Sequence, residues 1–157
     1  SLNITLPIEI LFLKMPLIIK MQKIADVPTP CYAHKGDSGV DLYAAEDAVL
    51  KPMERKLIAT GLKLEIPYGY EGQVRPKSGL AISHGISHAN SVGTIDSSYR
   101  GEIKVPLINL SDKIYNVEKG KKIGQLVFAK VEEAVFNEVK ELGKTTRNEN
   151  GFGSTGL

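Results

Sequence analysis

The sequence predicts an all-β protein, and two observations carry that prediction. Short apolar, β-branched runs recur along the chain, at residues 17–24, 40–44, 56–60, 62–66, 72–75, 103–109 and 122–130. Turn signals separate them at close spacing, among them Pro67-Tyr68-Gly69, Ser111-Asp112-Lys113 and Glu118-Lys119-Gly120. Many short strands punctuated in this way point to a sandwich or barrel. One short helical turn is expected at Ser78–His84. Residues 131–142 are ambiguous, because Val131, Val135, Val139 and Leu142 suit a helical face better than they suit alternation. No repeat, low-complexity block or Pro-rich linker divides the chain.

At 157 residues, 42% hydrophobic and 24% charged, the chain has the make-up of one globular domain. A net charge of +2 is too small to argue for a nucleic-acid surface. Lysines outnumber arginines sixteen to four, so the arginines, whose planar fork suits phosphate, are the cations to follow. The single cysteine, Cys31, excludes an intrachain disulfide and suits a reducing, cytoplasmic setting. It reads as a small buried residue rather than a nucleophile. The apolar run at residues 8–13 is too short to span a bilayer and lacks the basic flank of a signal peptide, so no membrane partner is expected. Met15 reads as the natural start, with residues 1–14 a cloning-derived or upstream extension.

Several segments carry possible chemistry, each with a plainer alternative. In Gly93-Thr94-Ile95-Asp96-Ser97-Ser98-Tyr99-Arg100-Gly101, a polar turn projects Asp96 and Tyr99 together. A carboxylate there can act as general base and the ring can lie against a sugar; an ordinary hairpin turn explains the same residues. Asn90 offers an amide that donates and accepts at once, as a pyrimidine edge requires, although Asn is common in loops. Arg75-Pro76-Lys77-Ser78-Gly79 ends a strand at a turn with free N–H groups, either an anion nest or a solvated basic turn. Asp41 lies inside an apolar strand, where a carboxylate must pair, take hydrogen bonds or approach a metal. Gln125 is a polar amide among apolar neighbours, either a satisfied core residue or a ligand contact.

The last residues, Gly151-Phe152-Gly153-Ser154-Thr155-Gly156-Leu157, match G-x-G-x-x-G. That fingerprint places phosphates at a helix N-terminus, and no helix follows here, so a Rossmann unit and a kinase glycine loop are excluded. A frayed terminus is one reading. The other is a tail that wraps a phosphorylated ligand held elsewhere.

Taken in order, S-G-V-D-L-Y-A with Asp41, R-P-K-S-G-L-A, Asn90 with G-T-I-D-S-S-Y-R-G-E, K-G-K-K-I-G-Q-L-V and R-N-E-N-G-F-G-S-T-G resemble the five motifs of the trimeric dUTPases. The resemblance runs from about Met21 to Leu157, and Arg75, Arg100 and Arg147 fall within it. It implies a β jelly roll, or β-clip, at residues 15–142, with 131–142 largely extended despite its helical spacing, a flexible glycine-rich arm at 143–157, and a homotrimer with shared active sites. The implied reaction is hydrolysis of dUTP to dUMP and pyrophosphate with Mg2+, which limits uracil incorporation into DNA and supplies dUMP for thymidylate synthesis. A dCTP deaminase on the same kind of fold and a non-catalytic trimeric module are the alternatives.

The resemblance also implies residue roles. Asp96 would deprotonate the water that attacks the α-phosphorus. Tyr99 would stack on the deoxyribose, and Asn90 with the hairpin out to Lys104 would read the uracil. Arg75, Ser78, Gly79 and Gln125 would hold the phosphates. Asp41 would stand near the hydrated metal. Arg147 would meet the γ-phosphate and Phe152 would cover the uracil, while Gly153, Ser154 and Thr155 closed over the phosphates. His34, His84 and His88 lack a zinc spacing and are left as structural or surface residues. Asn148 and Asn150 stand where the family has glycines, Lys77 where Arg is usual, Ser98 where an acid is common and Gly124 where Ala is usual.

Overall fold

A computed structural model describes residues 15–154 and 156. The expected extension at 1–14, together with Thr155 and Leu157, lies outside the described residues. The elements in chain order are β1 (Lys20–Lys23), β2 (Val40–Tyr43), β3 (Ala48–Leu50), β4 (Arg55–Glu65), β5 (Tyr70–Arg75), α1 (Ser78–His84), β6 (Ile86–His88), β7 (Gly93–Ile95), β8 (Glu102–Asn109), β9 (Tyr115–Val117) and β10 (Lys122–Lys130). Two antiparallel four-stranded sheets, ordered β1-β4-β8-β6 and β2-β10-β5-β7, form the body, with a β3-β9 ribbon beside them. The all-β prediction holds, and α1 is the short helical turn expected at those residues.

Period-two burial explains the sandwich. Along β8, Ile103, Val105, Leu107 and Asn109 point inward and alternate with more accessible residues. Leu42, Ile58, Ile86, Val74 and Leu126 meet them in the same core. Asn109 is fully buried, and it is satisfied there. Its amide donates to Leu50 O at 3.0 Å and Lys113 O at 2.7 Å, while Oδ1 accepts from the Ser111 N–H at 3.0 Å. That closes the β8–β9 turn without leaving an orphaned polar group in the core.

The two strands expected at 56–60 and 62–66 are one, β4, with a register shift against β8 between Ala59 and Lys63. Gly61 makes this possible. It takes φ +71°, and a β-carbon there would stand 2.8 Å from Ala25 Cβ. The chain therefore bulges where a turn was expected and keeps pairing. The short strands β3, β6, β7 and β9 have too few residues to show a period, so sequence pattern passed over them as strands. Residues 131–142 form neither helix nor strand, and Val135 and Phe136 are 94% and 95% exposed. Helical spacing alone does not make a helix when no surface receives its apolar face. Cys31 is exposed, against the expectation of burial, because it lies in the loop before β2 and outside the core.

Gly61→Ala is expected to destabilise the protein by about 2 kcal/mol, because Ala meets both an unfavourable φ and a close neighbour. Denaturant unfolding of the variant checks this, and an unchanged midpoint would show that the bulge tolerates a β-carbon.

Candidate active site

The register of the second sheet builds one polar row. Gln125 on β10 lies opposite Asp41 on β2 and opposite Arg75 on β5. Directly paired residues share a face, so these three side chains stand together on the outer face. Their strand neighbours Leu42, Leu126 and Val74 are buried on the inner one.

Asp41 is the electrostatic centre of that row. Its Oδ1 accepts from Lys77 Nζ at 2.6 Å, and its Oδ2 lies 2.7 Å from Lys122 Nζ. Partial burial pushes the Asp41 pKa up, but the Lys122 and Lys77 ammoniums outweigh it and hold the carboxyl below its ordinary value. Bonding to Asp41 correspondingly raises the Lys122 pKa. The pairing that a carboxylate in an apolar strand requires is thus present, supplied by two lysines. Neither lysine was named as a site residue from sequence: Lys77 stood out only as a replacement for Arg, and Lys122 sits in a run of three lysines about Gly120 that reads as a solvated turn.

Around this row, Gln125 Nε2 donates to Pro76 O at 3.2 Å, tying β10 to the turn after β5. Arg75 Nε donates to Gln73 Oε1 at 3.1 Å, and Gln73 Nε2 donates to Glu71 Oε1 at 2.7 Å, so a polar chain runs along the outer face of β5. Ser78 and Gly79 open α1. Their N–H groups precede its first helical bond, from Ala81 N to Lys77 O.

A second cluster lies on the turn after β7, which is not the hairpin expected from sequence: β7 pairs with β5 in one sheet and β8 with β4 and β6 in the other, so the chain crosses between sheets here. Tyr99 N–H donates to Asp96 O at 3.0 Å, closing a turn over residues 96–99. Arg100 Nη1 locks the turn by donating to Ser97 O at 2.7 Å and Tyr99 O at 3.0 Å. The Tyr99 hydroxyl donates to Glu102 O at 2.9 Å, which lays the ring over Gly101. A β-carbon at 101 would stand 2.5 Å from the ring, so glycine is required for this packing. Leu57, Thr94, Ile95, Asp96, Tyr99, Glu102 and Lys104 line a pocket of about 270 Å³ here, with the Asp96 carboxylate exposed. Asp96 also borders a 540 Å³ pocket that reaches Tyr68 and Glu133. Asn90 is exposed, and its Nδ2 would be 3.3 Å from a β-carbon on Gly93.

Within one chain the two clusters do not meet. Gly72 pairs with Ile95, so Asp96 lies beyond the start of that ladder, level with Glu71. Arg75 is four residues further along β5, roughly 13 Å at the rise of a strand. The arm is separate again: Arg147 Nε donates to Asn150 O at 2.8 Å, and the Phe152 ring touches neither cluster, being wholly exposed.

The dUTPase family profile matches residues 25–156 of the chain. A deoxyuridine 5'-triphosphate nucleotidohydrolase of Clostridium kluyveri is 57% identical over 127 residues, covering 81% of this chain and 89% of that protein. One from Zymomonas mobilis is 51% identical over 133 residues, covering 85% and 91%. Among solved structures, the Staphylococcus bacteriophage 80alpha dUTPase with dUPNHPP is similar at a TM-score of 0.83 and 27% identity, covering 89% of this chain and 99% of that one. An all-β hydrolase of nucleoside triphosphates is thus the class that these likenesses define. Within it, the chain belongs to the dUTPase family.

Replacing Lys122 with Ala should raise the Asp41 pKa, since one of two opposing ammoniums is lost. A depressed carboxyl pKa contributes stability that is present above the unfolded value and disappears as pH falls through the folded value. The variant should therefore keep less of this stability at neutral pH and show less acid sensitivity from Asp41. Carbon-detected titration of Asp41 in both proteins measures the shift, and identical curves would remove Lys122 as its cause.

Proposed function

We propose a mechanism in which Asp96 takes the proton of a water whose oxygen attacks the α-phosphorus of dUTP. The enzyme is a dUTP diphosphatase: it converts dUTP to dUMP and pyrophosphate. The new bond joins the water oxygen to the α-phosphorus, the bond to the α–β bridging oxygen breaks, and pyrophosphate leaves with that electron pair. The exposed carboxylate of Asp96, beside a pocket walled by Tyr99, is the observation that carries this reading. Tyr99 lies against the deoxyribose. Asn90 and the backbone out to Lys104 read the base.

Arg75, Ser78, Gly79 and Gln125 hold the phosphates, supported by the charge of Lys77 and Lys122. Little covalent work falls to the protein in phosphoryl chemistry, so placement and charge stabilisation supply most of the catalysis. Arg147, Phe152, Gly153, Ser154 and Thr155 complete the site as the arm closes.

Mg2+ is the metal this reading calls for. No group of three acidic, His or Cys side chains that could hold an ion exists among the described residues. Both Asp41 oxygens already face ammoniums, so the donor set suits an ion that keeps its waters and is carried by the substrate phosphates. Asp41 would contact it through water. Bound there, Mg2+ would neutralise phosphate charge.

The separation of the two clusters along β5 supports a homotrimer with shared sites, since a second copy would bring its Asp96 turn to a phosphate row. The exposed Val135 and Phe136 agree with a segment covered by another subunit. No described helix is long and apolar enough to cross a membrane. A free, exposed Cys31 fits a reducing cytoplasm, where dUTP removal keeps uracil out of DNA and provides dUMP for thymidylate.

Asp96→Asn should bind dUTP but turn it over at least roughly a hundredfold more slowly. Pyrophosphate release with Mg2+ measures this, and near-normal turnover would remove Asp96 as the base. Deletion of residues 147–157 should leave a folded oligomer with little activity, checked by sedimentation and the same assay; loss of folding would make the arm structural.

A further inference from the structure

Among the described residues, His88 is the one buried side chain whose chemistry neither the reaction nor the hydrophobic core explains. It ends β6, is 5% exposed, and reaches from the first sheet into the second. There its Nε2 lies 2.9 Å from Ile123 O. A carbonyl only accepts, so Nε2 carries the hydrogen, and Nδ1 is left buried with no hydrogen-bond partner. Burial pulls the imidazolium pKa below its ordinary value, against the opposing influence of the Ile123 and Val74 carbonyls, which favours the neutral ring.

The place where His88 arrives is distinctive. β10 shifts register against β2 between Lys122 and Gly124: two steps on β10 match one on β2, from Tyr43 to Leu42. The consecutive residues Ile123 and Gly124 are both buried, as a bulge produces. The side chains on either side of that bulge are Lys122, on Asp41, and Gln125, in the row with Asp41 and Arg75. Gly124 is what admits the imidazole. A β-carbon there would stand 2.9 Å from His88 Cε1 and 3.2 Å from Nε2, and the ring cannot withdraw without breaking its bond to Ile123.

We propose that His88 and Gly124 form one positioning unit: the imidazole, seated where Gly124 lacks a side chain, fixes the Ile123 carbonyl at the bulge and so sets where Lys122 and Gln125 present themselves to the substrate phosphates. This rests on the phosphate role proposed for Gln125. It also gives a physical reason for glycine at 124: a β-carbon there and this histidine exclude each other. The unit acts on binding and not on the attacking water, because Asp96 belongs to the separate turn between β7 and β8.

The test uses the full-length chain with Gly124→Ala, His88→Val and both together, measuring KM and kcat for dUTP with Mg2+ and the thermal midpoint. Gly124→Ala should raise KM about tenfold with kcat within about twofold, and His88→Val should raise it severalfold. The double variant should lie nearer the parent than Gly124→Ala does, in both KM and midpoint, because the clash is gone. Should Gly124→Ala not fold, His88→Val carries the test, since it removes the bond without adding a clash. Long-range nitrogen–proton spectra should show His88 as the neutral Nε2–H tautomer. Unmoved KM in the folded single variants, strictly additive effects in the double, or an Nδ1–H tautomer would each overturn the proposal. Gln125→Ala separates it from the reading beneath: unchanged KM there removes Gln125 from the phosphate site. A raised KM there with an unmoved KM in Gly124→Ala overturns the positioning role alone.

Discussion

The pairing of β10 between β2 and β5 is the constraint on which the rest of the molecule depends. It buries Leu126 and Ile123 in the core and, by the same register, lines up Asp41, Gln125 and Arg75 on the opposite face. Core and site are thus two sides of one ladder. A slip of one residue would turn Gln125 into the apolar interior and Leu126 out to water. The hydrophobic term that resists such a slip is about 1.5–3 kcal/mol for a leucine-sized side chain, larger than the net worth of a typical single hydrogen bond. The polar row is therefore held in place by the core beneath it and does not have to hold itself.

Electrostatics then shapes what the row can do. Asp41 draws two lysines onto a half-buried carboxylate, and with Arg75 the cluster retains a positive excess. Arg75 makes its described hydrogen bonds to the neutral Gln73 side chain and has no carboxylate bound to it. Under the proposed mechanism, a polyphosphate arriving here would meet cations already placed, without having to gather flexible side chains from solvent, which lowers the ordering cost of binding. The turn between β7 and β8, which the proposed mechanism gives to the base, is stiffened in its own way. Arg100 and the Tyr99–Gly101 packing hold it, so the exposed Asp96 sits on a rigid support.

Much of this was legible in the sequence, for identifiable reasons. Runs of alternating apolar residues in β5, β8 and β10 are long enough for a period to show, and α1 begins after Pro76 and ends at Gly85 in the left-handed region. Asp41 and Gln125 stood out because polar residues in apolar strands demand a reason. The Gly61 bulge did not stand out, since glycine in a strand pattern marks a break and a bulge equally well. Lys122 was hidden in a charged run, and its role is set by Asp41, 81 positions away in sequence and brought close only by the β2–β10 ladder. His88 read as a structural or surface residue and Gly124 only as a departure from the resemblance. Only their contact gives either one meaning, and single-sequence reading has no access to contacts.

The arm poses the remaining energetic question, and its magnitudes bear on the answer. Asn148 and Phe152 hold positive φ of 45° and 50°. Asparagine accepts that region readily and phenylalanine does not, so the substitution of Asn for glycine is the smaller burden in this segment. Phe152 is fully exposed, and covering its ring against a base would return about 1.5–3 kcal/mol. Fixing the backbone of each ordered residue costs about 1–2 kcal/mol, so burial of one aromatic ring cannot by itself hold a segment of this length closed. Under the proposed mechanism the balance must come from charge-assisted bonds between Arg147, the arm's backbone and the phosphates, which are roughly twice as strong as neutral ones. Closure is then coupled to the length of the phosphate chain more than to the identity of the base, and discrimination between bases falls to the stiffened turn that carries Asp96 and Tyr99.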